Sequence, residues 1–190
     1  DVHVFASVSL SAELHELHLF QGVVLPGGSS MAAVNGQIRV AEDTLNRGQP
    51  TLGLCLGMQS MMTAAVRRSP GFESAIPAEV APHEALHSFV PFADGRHRCG
   101  VFPFSSGLIP GDVHEMHYNH RYCFNTDLLP ALSPGGVSVS AQRDGIVEAV
   151  SQPELPFWHG VQGHPELMSR PDAPHPLFVA FLKVALNAPA

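Results

Sequence analysis

Positive charge is scarce in this sequence. Ten Lys and Arg stand against seventeen Asp and Glu, for a formal net charge of -7, and the ten are scattered along the chain. No basic stripe exists to follow a phosphate backbone, which argues against nucleic acid as a partner and favours a polar or neutral small molecule. Cysteine is sparse as well: Cys55, Cys99 and Cys123 are an odd number without paired spacing. That argues against a disulfide framework and for a reducing compartment, by default the cytoplasm. No apolar run approaches the roughly 20 residues needed to cross a bilayer, and the N-terminus has no basic region followed by an apolar core, so no membrane partner is expected. Internal repeats and long linkers are also lacking. With 190 residues, 45% of them hydrophobic, the chain is predicted to fold as one domain over residues 1–190.

What is present is an alternation of strand-like and helix-like segments. "DVHVFA" at residues 1–6 and "GVVLPGG" at 22–28 read as short strands, the second closed by a Pro-Gly-Gly turn. "NGQIRVAEDTLNRG" carries apolar residues at helical spacing and stops at a glycine; "QPTLGLCLG" reads as the next strand and "MQSMMTAAVRR" as the helix that follows it. Repeated β-α order implies an α/β fold, a mainly parallel sheet with helices on both faces. Further along, "RCGVFPF", "HEMHYNHRYCF", "GVSVSAQ", "IVEAVSQ" and "PFWHGVQGHPE" add strands, some of them expected to pair antiparallel. "HPLFVAFLKVAL" closes the chain as an amphipathic helix.

Cys55 sits where a strand hands over to a helix, between Gly53 and Gly57 in "GLCLGMQ". Flanking glycines are expected to permit a sharp, strained turn that lifts the thiol over the sheet edge, as in a nucleophile elbow. The N-terminus of the next helix directs N–H groups and a positive dipole end at the sulfur, favouring thiolate.

A thiolate that attacks a carbonyl needs a base, and the base needs an orienting partner. "GHPE" supplies His164 with Glu166 two residues on, on the same side of an extended segment. Backbone N–H groups of the Pro26-Gly27-Gly28 turn, together with that of Leu56, are candidates for an oxyanion hole. A metal site is the rival chemistry, since "HEMHYNH" clusters His114, His117 and His120, and "HELH" brings His15 near His18. Neither is the H-E-x-x-H pattern, and on a strand His117 would point away from the other two. No metal or cofactor is expected.

Taken together and in order, "VLPGG", "GLCLGMQ" and "GVQGHPE" resemble the class I, or triad, glutamine amidotransferases. Within them the chain is most similar to the glutaminase domain of CTP synthase, on "NHRYCFN", "IVEAV" and "HPELMSRPDAPHPLFVAFLKVAL". The resemblance implies a flavodoxin-like core and a Cys55, His164, Glu166 triad that hydrolyses the glutamine side-chain amide. It implies an oxyanion hole at Gly27, Gly28 and Leu56, and glutamine contacts from Gln59, Arg121 and Tyr122. Ammonia would pass to a CTP-synthase-like or other synthetase partner. An alternative substrate is another γ-glutamyl amide, and an alternative role is a weakened regulatory module on the same fold.

Departures from the family pattern shape further expectations. Ser29 stands where the family has an aromatic and Gly163 where it has Phe, beside the base. The family's glutamate for the substrate ammonium aligns on Ile76, with Glu73 and Glu79 nearby. A looser pocket and weak binding of free glutamine are therefore expected. "DVHVFA" aligns with the family's second strand, so the first strand and helix of the domain are expected to be missing from this chain, with residues upstream of Asp1.

Overall fold

The computed structural model describes residues 1–6, 14–28, 31–107, 109 and 114–187. Strand β1 (Val23–Leu25) leads through the glycine turn to helix α1 (Val34–Arg47), then to β2 (Thr51–Leu54) and helix α2 (Leu56–Arg67). Helix α1 forms because Val34, Gln37, Ile38, Ala41, Thr44 and Leu45 recur at helical spacing and bury one face. It ends on Gly48 at φ 68°, whose N–H satisfies the Thr44 carbonyl, a left-handed cap that glycine adopts without cost.

After α2 come β3 (Phe89–Pro91), β4 (Arg98–Phe104), β5 (His114–His120) and β6 (Tyr122–Phe124). The chain then returns to the main sheet through β7 (Ser138–Arg143), β8 (Ile146–Ser151) and β9 (Trp158–Val161), and closes with helix α3 (Pro176–Asn187). The five-stranded sheet has the order β1-β2-β9-β8-β7. β1, β2 and β9 pair in parallel, while β8 opposes both β9 and β7, so β8 alone runs against the other four. Two antiparallel pairs, β3 with β6 and β4 with β5, flank it.

Strand alternation sorts the core into two layers. From β9, Trp158 turns toward α1, where its indole N–H donates to Thr44 Oγ1 at 3.3 Å, within a cluster built from α1 and α2. Leu52 and Leu54 of β2 and Val161 of β9 join the opposite cluster, with Leu177 and Phe181 of α3 and Met116 and Tyr118 of β5. The expected α/β sheet with helices on both faces is what the chain forms.

Two sequence expectations are corrected here. Residues 1–6 form no strand: His3 and Phe5 lie against Phe20, at ring distances of 5.0 and 5.5 Å, while Val2 and Val4 are more than 90% exposed. The period of two is genuine, yet among the described residues no strand pairs with this segment. "HEMHYNHRYCF" is two strands that break at Arg121, with β5 pairing β4 and β6 pairing β3. Among the described residues, no strand covers the outer edge of β1, and no helix is long and apolar enough to cross a membrane.

Candidate active site

The turn between β2 and α2 places Cys55 at φ 48°, ψ -104°, a conformation that L residues rarely occupy. The surroundings hold it there: Cys55 N–H donates to the Val161 carbonyl at the end of β9 (2.8 Å), and its own carbonyl accepts from Gln59 N–H (3.0 Å) as the first turn of α2. The two flanking glycines act differently from expectation. Only Cys55 among these residues takes positive φ, and Gly53 and Gly57 serve close packing. A Cβ on Gly57 would collide with the carbonyl oxygen of Leu25, and one on Gly53 with Met61 Sδ. Absent side chains let α2 settle onto the ends of β1 and β2, which presents its N-terminal N–H groups beside the sulfur.

His164 follows β9 and precedes a short 3-10 turn, Pro165–Leu167. Its backbone N–H donates to the His117 carbonyl (2.7 Å), tying it to β5. Its Nδ1 lies 2.6 Å from Glu166 Oε1, so the two-residue spacing works through this turn and the carboxylate fixes the ring. The imidazole is pushed up to about 10: hydrogen bonding to Cys55 contributes most, hydrogen bonding to Glu166 next, and burial opposes both. Gly27 passes close against the ring, where a Cβ would stand 2.9 Å from His164 Cε1 and 3.4 Å from Cys55 Cβ. The Pro26 carbonyl of that loop accepts from Gln37 Nε2 (3.2 Å), and Gln37 Oε1 accepts from Ser60 Oγ (3.1 Å). Sequence reading missed this brace, because Gln37 looks like any polar residue on a helix until it is found buried.

A cleft of about 400 Å³ opens over the sulfur, lined by Gly28, Cys55, Leu56, Gln59, Glu79, His97, Asn119, His120, Arg121, Tyr122 and His164. Of the residues read from the sequence, Gly28, Cys55, Leu56, Gln59, Arg121, Tyr122 and His164 line this cleft, with Glu166 behind His164 and Gly27 beside it. Ile76 is not among the lining residues: its N–H and carbonyl are bonded to Leu86 and Ser88. Glu73 accepts from the N–H of Gly71 at 3.1 Å, which keeps it in its own loop. Glu79 is the carboxylate that reaches the cleft, and burial pushes its carboxyl up from the usual range. The segment from Ser69 to His87 has no helix and no strand, so no periodicity was available to register it.

Gly163 is corrected in the same way. The space beside the base is filled, since a Cβ on Gly163 would collide with Met116 Cγ and Sδ. Ser29 lies outside the described residues. The clustered histidines diverge: His114 faces His175 (6.1 Å between rings), His117 faces His164 (6.4 Å), and His120 Nδ1 lies 2.8 Å from the Tyr122 carbonyl. His18 pairs with Asp43 at 3.2 Å. Among the described residues, no three His, Cys, Asp or Glu side chains gather to hold a metal.

His120 is held neutral, pushed down to about 4 chiefly by burial. Behind it the Arg98 guanidinium lies over the Tyr118 ring, 3.8 Å from its centroid, and pairs with Glu148. Glu148, the carboxylate of "IVEAV", thus ties the β4–β5 hairpin to β8. Its place is in the wall's support rather than in the cleft.

The family model for class-I glutamine amidotransferases matches residues 1–184. The chain belongs to that family. Among curated relatives, this amidotransferase is 35% identical to CTP synthase of Nostoc punctiforme, over 95% of the chain and 36% of the relative. It is equally similar, at 35%, to CTP synthase of Saccharopolyspora erythraea, over 93% and 35%. It spans little more than a third of the length of those relatives. Among solved structures, the glutaminase domain of Trypanosoma brucei CTPS with bound acivicin superposes with a TM-score of 0.91 at 24% identity, covering 100% of this chain and 82% of that one. A GMP synthase component from Thermoplasma acidophilum gives 0.61 at 18% identity, over 92% and 77%. At those identities the structural likeness speaks for the amidotransferase fold.

Proposed function

We propose that this chain hydrolyses the side-chain amide of glutamine and delivers the ammonia to a CTP-synthase-like synthetase. The observation that carries the reading is the strained Cys55 at the head of α2 facing an imidazole that Glu166 holds at 2.6 Å. Sulfur attacks the amide carbon, and the developing oxyanion is received by N–H groups of Gly27, Gly28 and Leu56. His164, protonated at neutral pH, gives its proton to the departing ammonia, leaving a glutamyl thioester. Acylation removes the sulfur's hydrogen bond to His164, the largest contribution to its raised pKa, so the freed imidazole can take a proton from water for the second half-reaction. Arg121 would hold the α-carboxylate and Glu79 the α-ammonium, with Tyr122 and Gln59 shaping the walls. The similarity to CTP synthases supports the choice of acceptor, and three unpaired thiols fit a reducing compartment such as the cytoplasm. Ammonia release from glutamine and from a panel of γ-glutamyl amides, with and without Cys55→Ala, tests the reading. Release that persists in Cys55→Ala, or none from any amide, overturns it.

A further inference from the structure

Gln162, the residue between Val161 and Gly163, is 1% exposed. A buried primary amide must spend both its ends on partners or lose hydration it does not recover. Its partners here are two residues of the site: Gln162 Nε2 lies 3.5 Å from Cys55 Sγ, and Gln162 Oε1 accepts from Gln59 Nε2 at 3.3 Å. We propose that Gln162 donates a hydrogen bond to the nucleophilic sulfur and that Gln59 is the positioning residue that sets its amide to do so. The inference rests on the reading of Cys55 as nucleophile.

The orientation follows from chemistry. A thiolate accepts hydrogen bonds and cannot donate one, so the end of Gln162 that faces Sγ is the N–H₂, and its carbonyl end accepts from Gln59 Nε2. The backbone holds the pair in register: the Cys55 N–H is bonded to the Val161 carbonyl, and the Gln162 N–H to that of Glu148 (2.8 Å). The imidazole of His164 and the Gln162 amide thus both address Sγ. His164 must leave the sulfur to serve ammonia and water, whereas Gln162 is free of proton transfer and can remain.

That difference gives it a distinct role in the two half-reactions. In the first, the S–C bond forms, the C–N bond breaks and the proton goes to ammonia from His164. In the second, the O–C bond to water forms and the S–C bond breaks, with the electron pair returning to sulfur. A fixed N–H donor stabilises that returning charge, and in the free protein it favours thiolate over thiol. Gln59, 4% exposed, acts through Gln162, which accounts for the burial of a residue otherwise read as a substrate contact.

The test is the pH profile of Cys55 alkylation by iodoacetamide, read by mass spectrometry on the Cys55 peptide, beside steady-state kinetics with glutamine. Gln162→Met keeps length and burial without the donor; Gln162→Glu puts a carboxylate at the sulfur. Both are expected to move the alkylation midpoint to higher pH, Gln162→Glu further. In Gln162→Met, kcat should fall by about 10-fold, the scale of one hydrogen bond to a charged group. KM should not rise, because slower deacylation lets thioester accumulate. If Gln162→Met does not fold, Gln59→Met leaves Gln162 in place but frees its amide to turn, and a smaller shift in the same direction is expected. An unchanged midpoint in whichever of these folds overturns the inference and leaves the proposed function standing. Failure of iodoacetamide to label Cys55 in the unsubstituted protein would instead count against Cys55 as nucleophile.

Discussion

Gly57 of α2 lies so close to the carbonyl oxygen of Leu25 in β1 that no side chain fits between them. Helix α2 consequently reaches down to the end of the strand that carries the Pro26-Gly27-Gly28 loop. Gly28 of that loop and Leu56, whose N–H groups are proposed as oxyanion donors, thereby line one cleft.

Gly57→Ala is expected to destabilise the fold by at least the ~1–3 kcal/mol typical of overpacking, because the obstructing atom is backbone and cannot rotate away. Gly53→Ala should cost less, since Met61 Sδ belongs to a flexible side chain and the backbone atoms nearest the added Cβ, Gly57 C and Met58 N, stand at 2.9 Å, farther off than the Leu25 oxygen from Gly57. Denaturant midpoints of the two variants check the order.

His164→Ala should lower kcat by about 10²–10⁴-fold, the usual worth of a general acid-base group. Glu166→Gln should lower it less, because the carboxylate orients the ring and supports its charge without moving a proton. The same change removes the carboxylate charge behind the imidazole and weakens the hydrogen bond to it, two of the causes of its raised value. His164 must be protonated to serve the departing ammonia, so activity should decline as pH rises toward about 10, and this limb should shift to lower pH in Glu166→Gln. Steady-state rates measured over roughly pH 6 to 10.5 would show it.

Glu79→Gln should raise the KM for glutamine by roughly 10-fold or more with a smaller effect on kcat, because an ammonium without its carboxylate loses a charge-assisted bond. Ile76→Ala should leave KM unchanged. Equal effects on KM from the two variants would show that the cleft does not hold the ammonium at Glu79.

Buried His120 and half-buried His159 make stability pH-dependent. His120 and His159 are each pushed down to about 4, by burial before all else, from an ordinary value of 6.5. As pH falls from 6.5, the unfolded chain takes up these protons and the folded one does not until about 4. Folding stability should therefore drop across that window, for buried His120 by about 3 kcal/mol. Melting temperature against pH measures the slope, and His120→Gln should flatten it.

The legible parts of this molecule were those with local periodicity or a local turn. Helix α1 and its Gly48 stop, the strand-to-helix junction at Cys55, and His164 with Glu166 all depend on residues a few positions apart. What stayed hidden depends on distance in sequence. Glu79 reaches the cleft from a segment without regular structure, Gln37 braces a loop eleven residues before it, and Gln162 meets Cys55 across 107 positions. The glycines of "GLCLG" stand out in the sequence but for the wrong reason, since room for a helix and freedom of backbone leave the same letter. Val2 and Val4 show the converse, a strand period that no strand among the described residues pairs with.

The central claim is that Cys55 carries the glutamyl group between the two half-reactions. Its most direct test is acid-quenched mass spectrometry of the protein turning over glutamine. The account predicts a glutamyl adduct on the Cys55 peptide, absent in Cys55→Ala. An adduct on Cys99 or Cys123 in its place, or ammonia released at an undiminished rate by Cys55→Ala, would contradict it.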